Sequence, residues 1–309
     1  MLTGLQFGEQ VISAGSESVT LQKTLKGGTK FNVFLGVDPD GRPVVVKESK
    51  SSDPMASMLW SCVQDSFELA QQEPTALQHA HIAPFRHVDD HIAVADYVPG
   101  TDLCDVMSNI SFTMDQIRSL LKAVSVHLNT LRSAGITHRD IKPENLILAH
   151  PTQPLVPENV FIIDSDFLTR VTGKRDEYCQ GTVQHMAPEQ VQGYTSSTLD
   201  GYGLGMTAFS LLPYDILQYI FSVPWNVYDK DYSAHALFRA NIENRLFRPD
   251  AFSRLEKYFL PTLPGSSRRT VRAILNFAFA STAYDPLARP QTVQESHQML
   301  EDTGNILEI

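Results

Sequence analysis

Alternating apolar and polar residues dominate the first hundred positions of the chain. Strand-like runs lie at 19–34, 43–47 and 82–98, and the first of them is interrupted by two glycines. Runs of this kind, bounded by turn residues, predict β-strands. One stretch, at about 55–73, instead repeats its apolar residues at helical spacing, and Pro74 would end that helix. This part of the chain is therefore predicted to be a β-sheet with one helix.

Helical periodicity takes over beyond Pro99-Gly100. The longest helical pattern runs from 112 to 134 with its apolar residues on one broad stripe, and most of the last third of the chain is also predicted to be helices and loops. A change of periodicity at a proline–glycine pair is typical of a domain boundary. We therefore predict an α+β protein with two lobes, a small β-rich lobe over 1–98 and a larger helical lobe over 99–309.

The strongest chemical signal is the run His-Arg-Asp-Ile-Lys-Pro-Glu-Asn at 138–145, which follows the long helical pattern. Phosphoryl transfer needs a carboxylate to accept the hydroxyl proton, cations to neutralise phosphate charge and oxygen ligands for Mg²⁺. Asp140 can supply the carboxylate, Lys142 the cation and Asn145 a metal ligand. A charged surface loop is the alternative interpretation, but eight residues in this order favour a catalytic loop.

The run at 138–145 resembles the catalytic loop of eukaryotic-type (Hanks-type) Ser/Thr protein kinases, and other motifs make the chain similar to a divergent member of that family. The strand Val-Val-Val-Lys is similar to the family's lysine strand, which makes Lys47 the implied ligand of the α- and β-phosphates of ATP. Asp164 occupies the D-F-G position and is the implied ligand of Mg²⁺, or of Mn²⁺. Ser165 and Asp166 stand where that motif has phenylalanine and glycine.

The resemblance implies the bilobal protein kinase fold with ATP between the lobes, and it implies further nucleotide-binding residues. These are Gly27, Gly28 and Val33 from the glycine-rich loop, Ala95, Asp96 and Val98 from the hinge, and Glu68 as the helix partner of Lys47. Only Gly28 matches a family glycine, and Ala95 at the gatekeeper position predicts an open back pocket. Glu73 is an alternative partner of Lys47, so the identity of the helix glutamate stays open at this point.

Two later motifs resemble segments that kinases acting on proteins share. Residues 181–189 are similar to G-T-x-x-Y/F-M-A-P-E, and residues 285–290 are similar to D-P-x-x-R-P. In the family the glutamate of the first segment pairs with the arginine of the second, so the resemblance implies a buried Glu189–Arg289 ion pair. Thr182 is expected to form a hydrogen bond beside the catalytic loop. Kinases of small molecules lack these segments, which favours a protein substrate.

The predicted activity is transfer of the γ-phosphoryl group of ATP to serine or threonine hydroxyls of proteins. Lys142, two residues after Asp140, is the arrangement of Ser/Thr kinases rather than of Tyr kinases. The first alternative is a catalytically weak or inactive pseudokinase that acts as a scaffold or allosteric regulator, which Ser165 and Asp166 favour. The second alternative is a small-molecule kinase or an enzyme that transfers AMP, which Lys142 and the segment at 181–189 oppose.

The composition of the chain limits which kinds of partner it is expected to bind, and it agrees with the predicted kinase activity. The net charge of −10 opposes nucleic-acid binding and weakly favours a basic protein substrate. No apolar run reaches the ~20 residues of a membrane span, the N-terminus lacks a signal-peptide pattern, and three cysteines without metal-like spacing suit a reducing compartment. The sequence thus predicts a cytoplasmic protein with no membrane span, and delivery into another cell as an effector stays open. Neither the substrate nor the oligomeric state follows from it.

The segment 214–267 stands apart because it matches no family segment. Six tyrosine, phenylalanine and tryptophan residues lie between positions 214 and 232. Apolar aromatic residues at this density are typical of a buried core, so we expect a core of unusual helices. A docking surface for a substrate or partner is the alternative.

Overall fold

The computed structural model describes residues 11–14, 17–27, 31–50, 54–175, 180–221 and 246–301 of the chain. The chain divides into two compact units. The first comprises Met1–Pro99 with Ile162–Thr169, and the second comprises Gly100–Phe161 with Arg170–Ile309. Strands make up most of the first unit and helices most of the second, so the predicted α+β class is confirmed.

A six-stranded antiparallel sheet forms most of the first unit. Its strands are β1 (Val11–Ala14), β2 (Glu17–Gly27), β3 (Phe31–Val37), β4 (Pro43–Ser49), β5 (Phe85–Val88) and β6 (Ile92–Asp96), in the order β1-β2-β3-β4-β6-β5. Because successive side chains of a strand point to opposite faces of the sheet, one set of side chains faces a common core, where Phe34, Val46 and Val94 are buried. The predictions did not include β1, because four residues give little periodic signal.

Two helices of the first unit follow β4. They are α1 (Pro54–Gln72) and α2 (Pro74–His79). The α1 helix covers the other face of the sheet, where Trp60 and Val63 pack with Phe85. The predicted end of the first helix before Pro74 is confirmed. Pro74 also begins α2, because proline lacks an N–H that the first turn of a helix would leave unpaired.

Helices dominate the second unit. In its described part they are α3 (Leu103–Asn109), α4 (Met114–Ser133), α5 (Pro188–Val191), α6 (Leu199–Ser210), α7 (Tyr214–Ile220), α8 (Ala251–Arg254), α9 (Gly265–Ser281) and α10 (Val293–Glu301). The α4 helix is the one predicted over 112–134, and it packs against α6, α9 and α10. Its start is fixed by Thr113, whose Oγ1 accepts the Gln116 N–H at 3.2 Å, and Gly135 follows its end with φ +69°. Across the described ranges no helix combines the length and the apolar character that a bilayer span demands.

Five short strands bracket the loops that carry the predicted site residues. They are β7 (Thr101–Asp102), β8 (Ile136–Thr137), β9 (Leu146–Leu148), β10 (Val160–Ile162) and β11 (Thr169–Arg170). The run at 138–145 connects β8 to β9, and the turn that contains Asp164 connects β10 to β11. Strand ends therefore fix both ends of each loop, which restricts where its side chains can lie.

The aromatic-rich segment 214–267 is partly described. Phe221 is buried and packs edge-on against Phe209, with ring centroids 5.4 Å apart, and Phe209 packs against Phe279 at 5.1 Å. This cluster supports the core interpretation for Phe221. The aromatic residues Trp225, Tyr228 and Tyr232 lie outside the described residues.

Candidate active site

Lys47 is the buried cation of the first unit. It lies on β4, is 9% exposed, and donates hydrogen bonds from Nζ to Oδ1 of Asp164 and to Oδ1 of Asp166, the latter at 2.6 Å. The ring of Phe85 lies 5.4 Å from Nζ. Burial opposes the charge of Lys47, but the two carboxylates outweigh burial and raise its pKa above the ordinary value. Lys47 is therefore a permanent positive charge held in a fixed position.

The turn at 164–166 supplies both carboxylates. Asp164 has a left-handed backbone with φ +67°, which is uncommon for a residue other than glycine and brings its carboxylate to the same nitrogen as that of Asp166. Asp166 is 4% exposed, and its burial, followed by the nearby charge of Asp164, raises its pKa to about 7. Ser165 is also buried, so two of the three residues of the turn are packed into the first unit.

The helix glutamate predicted to pair with Lys47 is not its partner in this structure. Glu68 lies on α1 but is exposed, and among the described residues it forms no hydrogen bond or ion pair. The side chain that α1 presents to the turn is Ser66, whose Oγ donates to the backbone oxygen of Ser165. Glu68 follows two residues later, about 200° around the helix, so it faces away. The alternative, Glu73, precedes α2 rather than lying within a helix.

The other predicted nucleotide-binding residues lie along the sheet. Gly27 ends β2, Val33 is on β3, Ala95 and Asp96 end β6, and Val98 follows two residues after β6. Val33 lies directly opposite Lys47 in the β3–β4 register, which brings the predicted loop strand beside the lysine. Ala95, at the predicted gatekeeper position, is buried, whereas Asp96 is exposed. Gly28 lies outside the described residues.

Asp140 is a buried carboxylate of the second unit. It is 3% exposed, and its Oδ2 accepts hydrogen bonds from Lys142 Nζ at 2.7 Å and from Asn145 Nδ2 at 3.1 Å. The other oxygen, Oδ1, is buried and has no hydrogen-bond partner among the described residues. The structure thus brings together the three residues predicted for the catalytic loop, and it leaves one carboxylate oxygen available to a further donor.

Asp200, at the start of α6, anchors the backbone of this loop. Its carboxylate accepts the N–H groups of His138 and Arg139, each at 2.8 Å. Arg139 has φ +68°, a costly conformation that these bonds help to hold. Gly203, one turn along α6, approaches Ile141 so closely that a Cβ would lie 2.8 Å from its backbone oxygen. The residues on both sides of Asp140 are therefore fixed by α6.

The segment at 181–189 contacts the catalytic loop as the resemblance implied. Thr182 Oγ1 accepts a hydrogen bond from Lys142 Nζ at 2.6 Å, which confirms the expected bond of Thr182 beside the loop. Gln190, one residue beyond the segment, donates from Nε2 to the backbone oxygen of Arg139 at 2.7 Å. The loop that carries Asp140 is thus connected on both sides of that residue, to Thr182 before α5 and to Gln190 within α5.

The predicted Glu189–Arg289 ion pair is present. Arg289 is 2% exposed, and its two terminal nitrogens donate to the two carboxylate oxygens of Glu189 at 2.5 and 2.8 Å. Its guanidinium also stacks over Tyr202 at 5.0 Å and donates from Nε to the backbone oxygen of Ala283 at 2.8 Å. This bidentate geometry is the strongest form of a carboxylate–arginine contact.

Asn145 and Asp164, the two residues predicted to hold Mg²⁺, both carry side-chain oxygen atoms. Among the described residues no group of three or more histidine, cysteine, aspartate or glutamate side chains could hold a metal ion. Mg²⁺ commonly uses one or two protein ligands and takes the rest from phosphates and water. Asn145 uses Nδ2 for its bonds to Asp140, so its Oδ1 is the atom that can reach a cation. Asp164, in the first unit, carries a carboxylate that is partly exposed.

Comparisons with known proteins agree with this chemistry. A sequence model described as the protein kinase domain matches residues 21–255. The maternal embryonic leucine zipper kinase of Xenopus tropicalis is 29% identical over 153 residues, a match that covers 45% of this chain and 22% of that protein. Human serine/threonine-protein kinase 32B is 33% identical over 144 residues, covering 43% of this chain and 33% of that protein. Serine/threonine-protein kinase PkaB of Streptomyces coelicolor is 29% identical over 215 residues, a match that covers 62% of this chain and 48% of that protein. The chain therefore spans less than half of the length of each of these relatives.

Proposed function

This chain belongs to the protein kinase domain family, and on that premise we propose that it transfers the γ-phosphoryl group of ATP to serine or threonine hydroxyls of protein substrates. Its fold is the bilobal protein kinase fold that the sequence predicted. The human and Streptomyces relatives are serine/threonine-protein kinases, which supports the same class of acceptor for this chain.

In the proposed reaction Asp140 accepts the proton of the acceptor hydroxyl while the hydroxyl oxygen attacks the γ-phosphorus. The new oxygen–phosphorus bond forms as the bond to the bridging oxygen breaks, and ADP leaves with that electron pair. Lys142 is assigned to neutralise charge on the transferred group, and Lys47 to hold the α- and β-phosphates. Bound Mg²⁺ would neutralise phosphate charge, and Asn145 and Asp164 are assigned to hold it.

The single observation that carries this proposal is the hydrogen bonding of Asp140. Lys142 and Asn145 both bond to Oδ2, which orients the carboxylate and leaves Oδ1 buried without a partner among the described residues. A buried carboxylate oxygen without a donor is costly unless a ligand supplies one. A substrate hydroxyl is a donor of the right kind, because its proton can bond to Oδ1 before it is transferred.

The rival function is a pseudokinase that binds ATP without transferring phosphate. The turn at 164–166 favours it, because Ser165 and Asp166 depart from the family motif and Asp166 engages Lys47 directly. The two functions predict different effects of replacing Asp140. In a kinase the replacement abolishes phosphate transfer, whereas a pseudokinase has no transfer to lose.

The experiment measures transfer of label from ATP to the protein itself and to a basic generic protein, with Mg²⁺ and then with Mn²⁺. Label from the γ-phosphate that appears on serine or threonine, and that Asp140→Ala abolishes, would support the proposal. Asp105→Ala is the matched control, since Asp105 is an exposed aspartate on α3 and should leave transfer unchanged. Label no higher than that of Asp140→Ala, with ATP still bound, would identify a pseudokinase. Label from the α-phosphate would identify nucleotide transfer.

The proposed substrate is a protein, with a weak preference for a basic one because of the net charge of −10. Specific nucleic-acid binding is not part of the proposal. A cytoplasmic location is proposed on the low cysteine count, since free thiols persist in reducing compartments.

A further inference from the structure

The partner of Lys47 is the feature of the first unit that the resemblance does not account for. The resemblance assigns that role to a glutamate of the helix that follows the lysine strand. The two acidic residues of α1, Asp65 and Glu68, are both exposed. The neutral Ser66 of α1 donates a hydrogen bond to the backbone oxygen of Ser165 in the 164–166 turn. The helix therefore offers no carboxylate on the face that packs against this turn.

Asp166 supplies a carboxylate next to Lys47, which α1 does not. Its Oδ1 accepts from Lys47 Nζ at 2.6 Å, and the residue is 4% exposed. The backbone of the turn is held next to it, since Ser66 donates to the oxygen of Ser165 and Ser165 Oγ donates to the oxygen of Ala83 at 3.3 Å. Asp166 stands at the position where the family motif has glycine, so its side chain is an addition to that motif.

We propose that Asp166 is the positioning residue of Lys47 and replaces the carboxylate that the family takes from the helix. The inference rests on the proposed function, in which Lys47 holds the α- and β-phosphates. Asp164 also accepts a hydrogen bond from Lys47 Nζ, and Asp166 adds a second, more deeply buried carboxylate to the same nitrogen.

The test measures the dissociation constant of a fluorescent ATP analogue in EDTA and again in Mg²⁺. Asp166→Asn removes the charge with little change of shape, and it should weaken binding about tenfold or more in both solutions, because a charge-assisted bond to Lys47 needs no metal. Asp65→Asn is the matched control on α1 and should leave binding unchanged. A thermal melt of each variant checks that it is folded.

The decisive variant moves the carboxylate back to the helix. Asp166→Gly restores the family's glycine and should weaken binding, and adding Ser66→Glu should return the dissociation constant to within about threefold of the original protein. A purely structural role for Asp166 would not be rescued by a charge on α1. Failure of the double variant to bind better than Asp166→Gly alone would overturn the inference.

Two further outcomes would also overturn it. If Asp166→Asn weakens binding in Mg²⁺ but not in EDTA, Asp166 is a metal ligand instead. If Glu68→Gln weakens binding and Asp166→Asn does not, the helix glutamate is the partner after all. The role of Asp166 and the proposed phosphate transfer can fail separately. If the double variant regains ATP binding but no phosphate is transferred, Asp166 positions Lys47 and the proposed function is wrong. If Asp166→Asn transfers phosphate as well as the original protein does, the proposed function holds and the role of Asp166 is wrong.

Discussion

The buried pair of Glu189 and Arg289 gives a stability prediction that the structure makes quantitative. Arg289→Met keeps an apolar side chain of similar length but removes the guanidinium. It removes two bonds to Glu189, at 2.5 and 2.8 Å, one to the backbone of Ala283 at 2.8 Å, and the stacking on Tyr202 at 5.0 Å. Glu189 keeps one hydroxyl donor, Ser196, at 2.9 Å. Its carboxylate is then left in a largely buried position without a positive charge.

Removing one partner of a buried ion pair costs about 3–5 kcal/mol, which is a large part of the about 5–15 kcal/mol that stabilises a typical domain. With a urea slope of about 3 kcal/mol per molar, a loss of about 4 kcal/mol lowers the unfolding midpoint by about 1.3 M. The assay is urea unfolding in a Trp225→Phe background, which leaves Trp60 as the single tryptophan, followed by circular dichroism and by the fluorescence of Trp60 in the first unit. We expect the dichroism signal, which reports mainly the helical second unit, to shift first.

A second variant separates the ion pair from simple loss of packing. Glu189→Gln combined with Arg289→Met removes the uncompensated carboxylate, so the double variant should be about 1–2 kcal/mol more stable than Arg289→Met alone. If Arg289→Met costs less than about 1 kcal/mol, or if the two substitutions destabilise additively, the charge of Glu189 is not the source of the loss and the reasoning is refuted.

Single contacts in the second unit give three more expected outcomes. Gly203→Ala should lower the unfolding free energy by about 1–3 kcal/mol and slow transfer, because its Cβ would lie 2.8 Å from the backbone oxygen of Ile141; an unchanged melting temperature would contradict this. Thr182→Val removes the acceptor 2.6 Å from Lys142 Nζ and should lower kcat about 5- to 20-fold with little loss of stability, so an unchanged kcat would show that this bond does not matter to transfer. Burial lowers the pKa of His185 from 6.5 to about 4. The contribution of neutral His185 to the free energy of unfolding is therefore complete above pH 6.5 and is lost as the pH falls toward 4. The loss amounts to at most about 3 kcal/mol, and urea midpoints between pH 7 and pH 4 should fall less steeply in His185→Phe; equal slopes would contradict the assignment.

Residues that lie close together in sequence were predictable as a group. Asp140, Lys142 and Asn145 fall within six positions between two short strands, so few backbone paths could separate them, and the structure brings them together. The pairing of Glu189 with Arg289 spans 100 positions, and local spacing could not have predicted it. The prediction of this pair came instead from the resemblance of two distant motifs to segments of the kinase family. Such a resemblance can indicate a long-range contact, whereas hydrophobic periodicity indicates only local structure.

The partner of Lys47 could not be predicted in the same way, because it depends on how α1 is rotated against the turn at 164–166. Sequence spacing left Glu68 and Glu73 as candidates, and it could not tell which residue of the helix faces inward. The structure turns Ser66 toward the turn and Glu68 to solvent. The available signal was Asp166, an acidic residue at a glycine position, which the sequence showed only as a departure from the family motif.

Single-turnover kinetics give the sharpest test of Asp140 as the base for transfer to serine or threonine. Matched basic peptides that differ only in a central serine, threonine or tyrosine would be mixed with enzyme and γ-labelled ATP in Mg²⁺. We expect transfer to serine and threonine but not to tyrosine, and a rate at least about 100-fold lower in Asp140→Asn with an unchanged dissociation constant for ATP. Transfer by Asp140→Asn at the rate of the original protein, or transfer to tyrosine alone, would contradict this expectation.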